Sequence, residues 1–266
     1  MTSTRLFVLG DSISIGYGPY LSHHLDGFTY ARKNPDADPA DTSVTGQNGG
    51  DSSHVVAYLR HLLSTGDSSL RGAWLLLNCG LHDIKRKADG LQVDIHDYVA
   101  NIEEAFAIGR ELGATRIVWC RTTPVDDAIH ASRCDLGVTR LASDVEAYNH
   151  AADGACQKNS VDVIDLHAFT LALGTDAFSD HVHYTPEACD QQAKFVAAAL
   201  INQTSVGKST THILHIRSTA ISIRSPHTSD PRSLTKSHAR PLKFSAAACC
   251  TSPASPPPPT APRTIP

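Results

Sequence analysis

No apolar run in this chain approaches the roughly 20 residues needed to cross a bilayer, so no membrane span is expected. No Cys-x-x-Cys pair and no Cys/His spacing suggests a zinc site. Met1-Thr2-Ser3-Thr4 runs straight into a strand-like segment, without the apolar stretch of a secretory leader. No internal repeat is present. Cysteines number seven (Cys79, Cys120, Cys134, Cys156, Cys189, Cys249 and Cys250), an odd count, and Cys79 and Cys120 lie in strand-like runs. They read as reduced, mostly buried thiols of a cytoplasmic protein. Basic residues are scarce over 1–206: 15 against 26 acids, a formal −11. That balance argues against nucleic acid or an anionic membrane as the main partner.

The whole chain of 266 residues carries only −4, because residues 207–266 hold eight Lys/Arg and one acid. The same stretch contains ten of the 15 prolines and ends in Pro256-Pro257-Pro258-Pro259 amid Ser and Thr. Ile213, Leu214, Ile216, Ile221 and Ile223 supply no second core, so 207–266 reads as a disordered tail. Residues 1–206 are expected to form one domain.

Short apolar runs alternate with amphipathic stretches through that domain. Arg5–Leu9, Ala73–Asn78, Thr115–Cys120 and Val161–Asp165 read as strands, and a weaker one is expected near Thr42–Val44. Continuous apolar strands are buried on both faces, as in parallel sheets. Helices are expected at about 51–64, 93–112, 139–157 and 186–202, with Pro186 suited to a first turn. The alternation predicts an α/β layered fold with right-handed crossovers. Functional groups then gather beyond the carboxyl ends of the strands.

Four polar blocks fall at that edge. Gly10-Asp11-Ser12 follows the first strand and enters a helix, where unpaired backbone N–H groups favour negative charge. Ser12 suits a nucleophile, or a plain helix cap. Gln47-Asn48-Gly49-Gly50-Asp51 is a glycine turn that lets a backbone N–H approach a substrate oxygen, or simply a turn. Gly80-Leu81-His82-Asp83 places a ring N–H donor at the edge. Asp180-His181-Val182-His183 supplies an imidazole to take the serine proton and a carboxylate to steady it. His181 is a decoy beside Asp180.

Taken in order, these blocks resemble the SGNH/GDSL-type hydrolase family of serine esterases and lipases, over about residues 5–200. The resemblance implies a flavodoxin-like three-layer α/β/α sandwich with a five-stranded parallel sheet in the order 2-1-3-4-5. It implies Ser12 as nucleophile, His183 as base, Asp180 as orienter, and an oxyanion hole from the Ser12 and Gly50 backbones plus a side chain of the third block. There the family's asparagine is replaced by His82, which can donate as a neutral tautomer or as a cation. Asn78 is expected to lie too far back along its strand to substitute.

The expected activity is hydrolysis of a small-molecule or carbohydrate ester through an acyl-enzyme, with no cofactor and no metal. Acyl transfer to an alcohol uses the same intermediate, and a binding module without turnover is the non-enzymatic alternative. A metal held by His181, His183 and nearby carboxylates is a weaker option. Asp11 and Asp83 are expected to bond loop backbone, and Asp165 and His167 to serve the surface. His130, in the 124–133 loop, is a candidate substrate contact, and Arg121 and Arg140 are candidates for a substrate carboxylate. Nothing in the sequence fixes the oligomeric state.

Overall fold

The computed structural model describes residues 3–132 and 137–205; the expected tail over 207–266 lies outside them. Five parallel strands form one sheet: β1 (Thr4–Leu9), β2 (Phe28–Arg32), β3 (Trp74–Leu77), β6 (Arg116–Cys120) and β7 (Asp162–Ile164). Their spatial order is β2-β1-β3-β6-β7, which is 2-1-3-4-5 when only this sheet is counted. Two two-residue strands, β4 (Arg86–Lys87) and β5 (Gly90–Leu91), form a small separate ribbon.

β1 lies between β2 and β3, with Leu6, Phe7, Val8 and Leu9 all buried. The strand is apolar throughout because helices cover both sheet faces. On one side pack α1 (Ser12–His24), α6 (Leu166–Leu171) and α7 (Pro186–Ser205). On the other pack α2 (Ser52–Thr65), α3 (Ile95–Glu111) and α5 (Ala142–Lys158). Each fully buried Leu or Val in this core contributes about 1.5–3 kcal/mol. Four cysteines, Cys79, Cys120, Cys156 and Cys189, are free thiols within it. No helix among the described residues is long and apolar enough to cross a membrane.

Two expectations need correction. The second strand is Phe28–Arg32, not Thr42–Val44, which lies in the loop leading to α2. Among the described residues β2 is an edge strand, paired only with β1 and half exposed, so it lacks the unbroken apolar run that marks the inner strands. The 124–133 segment is not all loop, since α4 (Asp127–Ser132) occupies most of it.

Close backbone contact positions the polar blocks. Gly49 donates its N–H to Gly10 O at 2.9 Å, and a Cβ on Gly49 would stand 2.8 Å from the Gly10 carbonyl. Gly10 in turn packs on Asn78, where a Cβ would come within 1.8 Å of Oδ1. The ends of β1 and β3 and the turn before α2 therefore converge on one spot. Gly10→Ala should lower stability by about 1–3 kcal/mol through this overpacking. Combining it with Asn78→Gly should cost less than the sum of the two single changes in denaturant unfolding, because the second opens space for the first. Additive costs would show that the two residues do not compete for that space.

Candidate active site

Asp11 and Ser12 divide the work at the end of β1. Asp11 is the cap of α1: its Oδ1 accepts from Ile13 N at 3.0 Å and from Asn78 Nδ2 at 2.9 Å. Ser12 is thereby released from capping and opens the helix as its first residue. Its Oγ lies 2.9 Å from His183 Nε2, and His183 Nδ1 lies 2.7 Å from Asp180 Oδ2. The three side chains form one continuous relay.

Local chemistry builds the acid–base half of the relay. Asp180 Oδ1 accepts the N–H groups of Val182 and His183, each at 2.8 Å, leaving Oδ2 for the ring. Burial pushes the Asp180 carboxyl up, but those two N–H groups and the His183 ring outweigh it and hold the group at about 2. The loop is pinned by Ser179 N to His183 O at 2.9 Å and by Tyr184 Oη to Pro124 O at 2.7 Å. His181 Nδ1 lies 3.7 Å from Asp180 Oδ1, and its buried ring packs against that of His130, with centroids 4.3 Å apart.

α1 and α7 bring the two halves together. Cys189 Sγ in α7 lies 3.3 Å from where a Cβ on Gly16 of α1 would sit, and His24 Nε2 bonds Asp190 Oδ1 at 2.6 Å. Because α1 begins at Ser12 and α7 begins three residues after His183, packing these helices carries the hydroxyl to the imidazole.

The third block sits against the second. Asp83, fully buried, accepts Ser52 N at 2.9 Å and so ties the start of α2 to the turn after β3. Gly80 holds that turn at φ 144°, and a Cβ there would strike Thr122 Oγ1. His82 is partly buried, with Nδ1 3.0 Å from Lys85 Nζ. Burial, then the Lys85 and Arg140 cations, push the His82 ring down to about 3, so it is neutral near pH 7. Lys33, 1% exposed, reaches Ser43 O at 2.7 Å and Asn48 O at 2.6 Å and fixes the loop before α2.

The structure does not leave every expected donor open. Gly50 N–H donates to Asn48 Oδ1 at 2.9 Å. The Asn78 amide nitrogen is committed to Asp11 Oδ1 at 2.9 Å. Arg121 is held by Asp153 and, at 2.8 Å, by Asp165, which removes it as a substrate contact. Asp165 also caps α6, accepting from Ala168 N at 3.0 Å. His130 is 3% exposed and packs inward on His181, so it does not line the surface as a substrate contact would. Arg140 is buried, with Nε on Leu81 O at 2.6 Å. Among the described residues no group of three or more His, Cys, Asp or Glu is placed to hold a metal ion.

Reading the sequence missed Lys85, Lys33 and Asn48. The only signal for Lys85 was its i+3 spacing from His82.

The family model described as GDSL-like lipase/acylhydrolase matches residues 8–190. A solved member of the lipolytic protein G-D-S-L family from Veillonella parvula DSM 2008 is similar with a TM-score of 0.55 and 16% identity, covering 76% of this chain and all of that one. Axe2, an acetylxylan esterase from Geobacillus stearothermophilus, gives 0.51 and 16% over 78% of this chain and 97% of its own. Est24, a carbohydrate acetylesterase from Sinorhizobium meliloti, gives 0.51 and 12% over 76% of this chain and all of its own. No curated protein sequence matches.

Burial raises the Asp83 carboxyl to about 7. The folded state then holds a proton that the unfolded chain releases near 3.8. Stability from this group therefore falls as pH rises from about 4 to about 7 and levels off above, at a steepest slope of about 1.4 kcal/mol per pH unit. Asp83→Asn keeps an acceptor for Ser52 N–H and should remove that slope from denaturant unfolding measured across the range. Parallel curves for the two proteins would show that Asp83 is ionised in the fold.

Proposed function

We propose that this chain, which belongs to the GDSL-like lipase/acylhydrolase family, hydrolyses a carboxylic ester through an acyl-enzyme on Ser12. The observation that carries this reading is the relay of 2.9 Å and 2.7 Å from Ser12 Oγ through His183 to Asp180. Those distances suit a proton moving from hydroxyl to imidazole as the oxygen attacks.

In the proposed sequence, Ser12 Oγ bonds the ester carbonyl carbon while His183 Nε2 takes its proton. Asp180, ionised throughout, stabilises the imidazolium. The carbonyl π electrons move onto oxygen, and the tetrahedral oxyanion is met by Ser12 N–H at the start of α1 and by the His82 ring. Gly50 N–H joins by sharing its proton between Asn48 Oδ1 and the substrate oxygen. Collapse breaks the bond to the alcohol oxygen, which leaves with the proton from His183. Water then attacks the acyl-enzyme, His183 again serves as base, and the acid departs with Ser12 restored. The substrate in this reading is a small or carbohydrate ester.

Ser12→Ala should reduce turnover of a short-chain ester by a factor on the order of 10³ or more, and unchanged turnover would sink the mechanism. His82→Ala should cost roughly 10²–10³ in kcat, the usual loss for one oxyanion donor. His82→Asn supplies a permanent amide donor and should retain more activity than His82→Ala. Equal losses in the two variants would remove His82 from the oxyanion site.

A further inference from the structure

Replacing an amide by an imidazole creates a problem that an amide does not have. Asparagine always carries N–H on its nitrogen. A neutral histidine has one N–H and one lone pair, and the two can exchange places. If the ring is to donate from Nε2, the proton must be kept there.

We propose that Lys85 is a positioning residue that fixes His82 as the Nε2–H tautomer and so makes it a constant donor to the oxyanion. An ammonium group has donors and no acceptor. Its contact with Nδ1 at 3.0 Å therefore requires a lone pair on Nδ1, which puts the ring proton on Nε2. Among the described residues no hydrogen-bond partner takes Nε2. The imidazolium form has protons on both nitrogens and cannot coexist with this bond. Lys85 is held for the role by the local turn, in which its own N–H approaches His82 O at 3.4 Å. The proposal rests on the ester-hydrolase reading for its catalytic consequence, but not for the tautomer itself.

The surroundings act in the same direction. The charged and titratable groups that act on His82 are Lys85, Arg140, Asp51 and His54, and burial together with the two fixed cations disfavours a charged ring over the pull of Asp51. Burial, then Arg140 and Lys87, lower the Lys85 ammonium from its ordinary value, against the opposing pull of Asp51 and Asp11, so it is the 3.0 Å contact with Nδ1 and not the surroundings of Lys85 that carries the tautomer. The Lys85 charge also lies one ring away from the developing oxyanion, where a fixed positive charge lowers the barrier.

Long-range ¹H–¹⁵N NMR on the full chain with ¹⁵N-labelled histidine tests this directly, with the His82 signal identified by its loss in His82→Asn. The wild type should show a single Nε2–H tautomer that does not titrate between pH 5 and 8. Lys85→Met should give mixed tautomers and a higher titration midpoint, and lower kcat roughly ten-fold with little change in KM, the scale of one lost charge-assisted hydrogen bond. Lys85→Arg, which keeps a cationic donor, should restore the single tautomer. In a His82→Asn background, Lys85→Met should cost much less than in the wild type. An Nδ1–H ring in the wild type, an unaltered ring in Lys85→Met, or an equal kcat loss in both backgrounds would overturn the proposal. Failure of the ester-hydrolase reading would appear separately, as turnover that survives Ser12→Ala while the tautomer remains as described.

Discussion

The arrangement depends on one hydrogen bond that spans 171 residues, from Ser12 Oγ to His183 Nε2. Each end is prepared locally. At one end Asp11 takes over the capping of α1 and leaves the serine hydroxyl unspent. At the other, Asp180 satisfies two backbone N–H groups with one oxygen and orients the ring with the second. The packing of α1 on α7, with the anchoring of the His183 loop to Pro124, brings the prepared ends together. Core positions between those helices thus bear on the chemistry as much as the polar residues do, since a shift of about 1 Å in a catalytic contact costs on the order of 10² in rate.

The remaining polar blocks are drawn to the same sheet edge by one backbone–backbone bond and one side-chain carboxylate. Gly49 lies against Gly10, and Asp83 holds the first N–H of α2. These links fix where the Gly50 turn and the His82 turn stand relative to the end of β1. They also explain a buried carboxyl that burial keeps protonated well above the usual carboxylate range. One Asp83 oxygen joins the start of α2 to the turn after β3.

The inner strands were legible in the sequence because burial on both faces leaves an unbroken apolar run, as in Leu6–Leu9 and Leu75–Leu77. The edge strand was not, because Phe28–Arg32 faces partner atoms on one side only and mixes its residue types. The short helix Asp127–Ser132 has too few turns to establish a period. Asp180 and His183 were readable because their interaction is set by a three-residue spacing. Lys85 on His82 and Asn48 on Gly50 are as local in sequence but carry no motif that marks them, and buried Lys33 depends on where a long side chain finishes its reach.

In the mechanism proposed here His82 stands where the pattern this chain resembles has an asparagine. That mechanism requires a covalent intermediate on Ser12, which is open to direct observation. Intact-mass analysis of the full chain, acid-quenched within the first turnover of an activated acetyl ester and followed by peptide mapping, should find one acetyl group on the peptide bearing Ser12, which disappears as substrate is exhausted. Continued turnover with the acetyl group on another residue, or with no acetylated protein at any quench time under conditions where deacylation is slowed, would contradict the account.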